Sequence, residues 1–203
     1  MRADSIVFAV AGVLFGVIVG WVLGSQQART SAPVAAPAAQ AQPAGQAAQQ
    51  GSRAVPLDQG RAKALETVAQ QNPKDVQPRV QLGNMYFDAE QYPQAIAWYE
   101  QAFALNKTDA NLSTDLGVAY YYTNQPDRAI TQFEHSLTLD PKHIKTLLNM
   151  GIVRAFGKQD LEGAAKAWEQ VVAIDPNSQE GQAAKKGLEG LRNAHPPGTT
   201  GGQ

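Results

Sequence analysis

Three glycines spaced 34 residues apart constrain this chain more than anything else in it. Gly83, Gly117 and Gly151 keep that spacing twice in succession, and their surroundings repeat with them. Each follows a large apolar residue: Leu82, Leu116 or Met150. Tyr86 and Tyr120 come three residues after the first two glycines, and Arg154 takes that place in the third unit. Ala95 and Ala129 come twelve residues after their glycines. Ala164 comes thirteen after its own, so the third unit carries one extra residue. Four residues beyond each alanine stands an aromatic residue: Tyr99, Phe133 or Trp168. Polar turn signals divide each unit at its middle (Gln91-Tyr92-Pro93, Asn124-Gln125-Pro126, Gly157-Lys158-Gln159-Asp160). Others close it (Leu105-Asn106-Lys107, Leu139-Asp140-Pro141, Ile174-Asp175-Pro176).

A period of this length marks a two-helix unit stacked on copies of itself. Glycine suits the point where two helices cross closely, alanine at the start of the second helix makes room for the first, and the aromatic residue fills the wedge between them. Pro93 and Pro126 suit a first helical turn, where the missing N–H has no partner to lose. Each pair has an apolar face it cannot bury alone, so stacking is required. The expected fold is all-α, without strands.

These residues resemble the tetratricopeptide repeat (TPR) family, whose unit carries W-x2-L-G-x2-Y, then A-x3-F, then P. The resemblance covers three units, about 76–109, 110–143 and 144–177. It implies a superhelical solenoid of about three repeats plus capping helices, spanning Asp58–Asn193. The departures are local: Arg79, Ser113 and Leu147 replace the tryptophan, Lys107 the first closing proline, and Arg154 the third tyrosine. Looser packing is expected there. Asp58–Gln71 is expected as a lone leading helix and 178–193 as a closing helix with Ser178 as N-cap, followed by a disordered tail, 194–203.

The first 57 residues are expected outside that domain. Ile6–Leu23 is 18 residues without a charge. As a helix it reaches roughly 27 Å, near the ~30 Å hydrocarbon thickness of a bilayer. Residues 1–24 are therefore expected to form an uncleaved transmembrane anchor. A cleaved signal peptide is the competing reading, but its apolar core is usually shorter, about 7–15 residues. Gly12, Gly16, Gly20 and Gly24 fall on one helix face, where another backbone could approach, either of this protein or of another span. Residues 25–57 hold 11 Ala, 7 Gln and 4 Pro, with Arg29 and Arg53 as the only charges. Such a segment reads as a disordered linker.

Composition narrows the chemistry. Net charge is −1 from 17 basic and 18 acidic residues, which gives no field for nucleic acid. Cysteine is absent, which removes disulfides, thiol nucleophiles and Cys-based metal centres. The three histidines, His135, His143 and His195, form no metal-ligand spacing, and His135 and His143 are expected on the surface. No Gly-rich phosphate loop and no HExxH motif is present. No enzyme, cofactor or metal is expected.

The family resemblance implies that the first helix of each pair lines a concave groove. Carried over by position, that groove presents Asn84 and Phe87 from unit one and Thr114, Val118, Tyr121 and Tyr122 from unit two. Unit three adds Lys145, Leu148, Asn149, Ile152 and Phe156. Tyr120-Tyr121-Tyr122 cannot all point inward, because neighbours on a helix diverge by about 100°. Some members of the family grip a C-terminal carboxylate with lysine and arginine in this groove. Only Asn84 and Lys145 match that set. Val80 and Asn149 stand where it has basic residues, and Asp115 where it has an amide. The expected ligand is therefore an amphipathic helix or an extended apolar peptide. Together with the anchor, this describes a membrane-tethered adaptor of bacterial envelope assembly, with its repeats in the periplasm and a protein partner in its groove. The combination is similar to the TPR subunits of cytochrome c maturation or to periplasmic chaperone partners. The alternative is a homo-oligomeric membrane scaffold built through the glycine face.

Overall fold

The computed structural model describes residues 55–194. The expected span, its four glycines, most of the linker and His195 lie outside the described residues. Among the described residues, no helix is long and apolar enough to cross a membrane.

Eight α-helices and no strand are found among the described residues: α1 (Gln59–Gln71), α2 (Gln77–Asp88), α3 (Tyr92–Leu105), α4 (Ala110–Tyr122), α5 (Pro126–Leu139), α6 (Ile144–Ile152), α7 (Leu161–Ile174) and α8 (Gln179–Ala194). They pack in sequence, each against its neighbours, as the 34-residue period requires. Helices α2–α3, α4–α5 and α6–α7 are the three repeat units, with α1 and α8 at the ends. Contacts of the fold begin three residues before Asp58, where the Val55 N–H donates to the Asp88 carbonyl at 3.1 Å.

Each unit closes on the glycine and aromatic pair read from the sequence. A Cβ on Gly83 would overlap the Tyr99 ring, and one on Gly117 would lie 2.6 Å from Phe133 Cε1. On Gly151 it would overlap the indole of Trp168. Phe133 and Trp168 are fully buried, as are Ala95, Ala129 and Ala164. Trp168 also meets Gly187 of α8, and its Nε1–H donates to the Leu148 carbonyl at 3.2 Å.

Of the positions that depart from the repeat pattern, Arg79, Ser113 and Leu147 are buried with their polar groups satisfied, so no looser packing forms at those three, while Lys107 is exposed and Arg154 half-buried. Arg79 runs its guanidinium to the C-terminal end of α1, donating to the carbonyls of Asp75 at 2.7 Å and Ala69 at 3.1 Å. It thereby supplies a donor to Ala69, a carbonyl that the end of α1 leaves unpaired, and another to the connection that follows. Ser113 Oγ donates to the Gln132 carbonyl at 2.8 Å, and Leu147 lies in the core. Between units one and two, the Tyr120 hydroxyl donates to Glu100 at 2.7 Å, while Arg128 lies over the Tyr120 ring and reaches Glu100 at 2.8 Å. Tyr86 makes the same reach to Glu66, 20 residues back, at 3.3 Å. Arg154, in the third unit, turns instead to Asp160 at 2.7 Å.

Helix ends follow their sequence signals. Asp58, Asp109, Asp160 and Ser178 each accept from a backbone N–H of the helix they start. Pro93 and Pro126 sit in first turns. The turn between the two helices of every unit passes through one residue in the left-handed region: Glu90 (φ 57°), Asn124 (φ 60°) and Gln159 (φ 56°). The extra residue of the third unit is taken up before that turn. Helix α6 passes into a π-helical segment, Val153–Gly157, in which the Lys158 N–H bonds to the Val153 carbonyl five residues back.

Gly117→Leu is expected to destabilise the protein by about 3 kcal/mol, since neither Phe133 nor the helix crossing can yield the space. A thermal melt reads this, and a wild-type midpoint would overturn the assigned contact. Gln159→Gly is expected to act in the opposite direction, stabilising by about 0.5–1 kcal/mol in urea unfolding, because glycine carries no Cβ to strain the left-handed turn.

Candidate functional site

The first helices of the three units, α2, α4 and α6, carry the face expected to form the groove. Helical register decides which residues share it. On α2, Asn84, Phe87 and Asp88 lie within one turn of each other. On α4, Asn111, Asp115, Val118 and Tyr122 recur at the spacing of one face. On α6, Lys145 and Asn149 are one turn apart.

Aromatic rings bring α2 and α4 together at one end of this face. Phe87 meets Tyr122 edge-on at 5.4 Å between centroids, and Tyr92, from the first turn of α3, stacks on Tyr122 at 4.6 Å. Phe87 and Tyr92 meet at 5.3 Å, and Tyr121 joins Tyr122 at 6.2 Å. All four rings are partly buried, and all four retain accessible surface. Such edge-on and offset contacts hold rings in place. Of the three consecutive tyrosines, Tyr120 is the buried one.

Farther along the same face lies a polar floor. The Tyr99 hydroxyl donates to Asn84 Oδ1 at 2.6 Å. Asp115, four residues after Asn111 on α4, is part-buried and keeps solvent contact at its carboxylate. Burial pushes its carboxyl up to about 7; Lys145 pulls it down, and Asp109 and Asp88 push it up further. Burial also raises Asp88, which stands more exposed at the rim. Asp109 is committed elsewhere, accepting from the backbone of Asn111 and Leu112 at the start of α4.

The structure corrects three of the residues assigned to the groove. Thr114, Leu148 and Ile152 are core residues, 3 %, 2 % and 8 % exposed. Thr114 faces the next unit: its hydroxyl lies 2.6 Å from that of Thr146 and 3.1 Å from that of Ser136, which are themselves 2.8 Å apart. His143 closes this cluster, with Nδ1 2.6 Å from the Thr146 hydroxyl and Nε2 3.1 Å from Asn111 Oδ1. So His143 is a part-buried member of the unit boundary, its proton affinity lowered mainly by burial. His135 is also part-buried, edge-on to Phe103 at 5.1 Å. Neither is the plain surface histidine expected. Asn84, Phe87, Val118, Tyr121, Tyr122, Lys145, Asn149 and Phe156 keep accessible surface. Tyr92 was missed because it belongs to a second helix. Among the described residues, no group of three or more His, Cys, Asp or Glu side chains could hold a metal ion.

Comparison with known proteins agrees with this architecture. A family profile described as TPR repeat matches residues 83–124, and one described as tetratricopeptide repeat matches residues 110–143. The chain therefore contains tetratricopeptide repeats and is similar to several proteins built from them. It is 29 % identical to the Hsp70-Hsp90 organizing protein of Triticum aestivum over 118 residues, 58 % of this chain and 20 % of that protein. The chain thus spans about a fifth of that relative's length. Among solved structures, the first TPR domain of Spaghetti (RPAP3), bound to the HSP90 peptide SRMEEVD, is 25 % identical with a TM-score of 0.53. The alignment covers 68 % of this chain and 95 % of that one. The crystal structure of MamA is 20 % identical with a TM-score of 0.56, over 66 % of this chain and 85 % of that one.

Asp115 yields a signed pH dependence. Its folded value lies above the ordinary carboxylate range near 3.9, so the folded state holds the proton more tightly than the unfolded state. Stability from this group is full below about pH 4 and is lost as pH rises towards 7. Asp115→Asn is therefore expected to stabilise the protein at pH 8, by on the order of 2 kcal/mol, and to be neutral at pH 4. Urea unfolding at both pH values measures this. Equal midpoints at pH 8 would place Asp115 in open solvent.

Proposed function

We propose that this protein is a membrane-tethered adaptor whose concave face holds a peptide or helix of a partner protein. The observation that carries the reading is the ring group Phe87, Tyr92, Tyr121 and Tyr122, whose accessible faces exceed what the repeat needs for packing. Tyr99, Phe133 and Trp168 already close the three units. Aromatic side chains held in place this way are typical anchors of protein interfaces. A TPR domain 25 % identical to this chain, solved with an HSP90 peptide, supports peptide binding by such a domain. The apolar run Ile6–Leu23 and the Ala/Pro/Gln-rich residues 25–57 support a membrane tether with a spacer. A bacterial inner membrane with the repeats on the periplasmic side, in envelope protein assembly, is the setting this combination suits best. The protein holds its partner and performs no chemistry.

The test is crosslinking in native membranes followed by mass spectrometry, on the wild type and on Phe87→Ala with Phe156→Ala. A recurrent second protein, lost in the folded variant, is the expected result. Self-crosslinks alone would favour a homo-oligomeric scaffold. The protein is also expected to sediment with membranes, and protease added outside the inner membrane is expected to remove residues 58–203. Recovery as a soluble protein would remove the tether from this reading.

A further inference from the structure

The groove has a second character besides its aromatic end. Asp115 is part-buried and Asp88 exposed, and among the described residues neither makes a side-chain hydrogen bond or ion pair. The neighbouring polar groups are already engaged. Tyr99 donates to Asn84, and Asp109 caps α4. Lys145, across the groove on α6, attracts Asp115 without forming an ion pair. Two unpartnered carboxylates against one lysine leave this face net negative, and a cation brought to them gains charge-assisted hydrogen bonds that neither carboxylate now makes. A metal ion does not fit, because the site lacks a third acidic or histidine ligand. An ammonium or guanidinium group does fit: it needs one or two acceptors and brings its own donors.

We propose that the groove recognises a bipartite segment, with a lysine or arginine side chain paired to Asp115 and Asp88 and an apolar side chain on the Phe87–Tyr92–Tyr122 rings. This rests on the peptide-binding reading above and names the ligand class that the same face takes. Spacing follows from α4. Asp115 and Tyr122 are seven residues apart on one face, about 10 Å along the helix. An extended peptide covers that distance in about three residues. The expected motif is thus a basic residue and an apolar residue about three positions apart. Acidic peptide ends are disfavoured, since Asp115 stands in the groove and Val80 and Asn149 supply no positive charge.

The experiment is selection of random dodecapeptides from a display library on the full chain in detergent micelles. It is run on the wild type, on Asp88→Asn with Asp115→Asn, on Lys145→Gln, and on Phe87→Ala with Tyr122→Ala, each shown by circular dichroism to be folded. The wild type is expected to enrich peptides with a lysine or arginine about three positions from a large apolar residue. Resynthesised winners are expected to lose about tenfold in affinity on Asp88→Asn with Asp115→Asn, or when their basic residue becomes norleucine, and to bind Lys145→Gln more tightly. Winners that are purely apolar, or that end in acidic residues and lose binding on Lys145→Gln, would overturn the cation assignment. If they still needed Phe87 and Tyr122, the groove itself would stand. Winners indifferent to Phe87→Ala with Tyr122→Ala would overturn the groove reading and this inference with it.

Discussion

One contact recurs three times and carries the rest of the structure: a helix crossing in which an aromatic ring lies against a backbone that has no Cβ. Gly83 against Tyr99, Gly117 against Phe133 and Gly151 against Trp168 bring each pair of helices closer than any side chain at the glycine would allow. That approach fixes the angle within each unit. It also buries the rings of Tyr99, Phe133 and Trp168. With the angle fixed three times over, stacking the units leaves the first helices side by side. The groove is a by-product of how the units close.

Between units the chain uses polar groups as well as apolar ones. Tyr120 with Glu100, joined by Arg128, ties α4 to the second helix of the unit before it, and Tyr86 with Glu66 ties α2 to the leading helix α1. The hydroxyls of Thr114, Ser136 and Thr146, joined by His143, do the same between units two and three at the buried side. No buried side-chain polar atom is left without a partner among the described residues. Satisfied buried networks of this kind favour one arrangement of neighbours over slipped ones. On the groove face Asp115 has no side-chain donor, and its carboxylate keeps contact with solvent instead.

The fold was largely legible because its determinants are local and repeated. The glycines, the alanines, the wedge aromatics and the proline starts could be read from spacing, and Ser178 from its place before the closing helix, and each sits where the sequence puts it. The site was less legible, because one residue of error on a helix is a rotation of about 100°. Thr114 and Asp115 are adjacent, yet one is locked into the unit boundary and the other opens onto the groove. Leu148 and Asn149 divide in the same way. The hydroxyl cluster could not be anticipated: Thr114, Ser136 and Thr146 come from three helices and share no spacing. Tyr92 belongs to a second helix and reaches the face only through its stack on Tyr122. The extra residue of unit three was plain in the sequence, but its conversion into a π-helical segment was not.

That segment has a consequence for descent. The added residue is absorbed within one turn of helix, between Val153 and Gly157, and both Gly151 before it and Trp168 after it keep the partnership seen in the uninterrupted copies. Because each unit touches only its neighbours, nothing elsewhere in the array has to adjust. A lineage of such duplicated units can therefore change length at the ends of its first helices, one copy at a time, without losing the frame that makes the copies stack. Sister copies would then drift apart in length before they drift apart in architecture. Unit three thus stacks with its extra residue as units one and two stack without it.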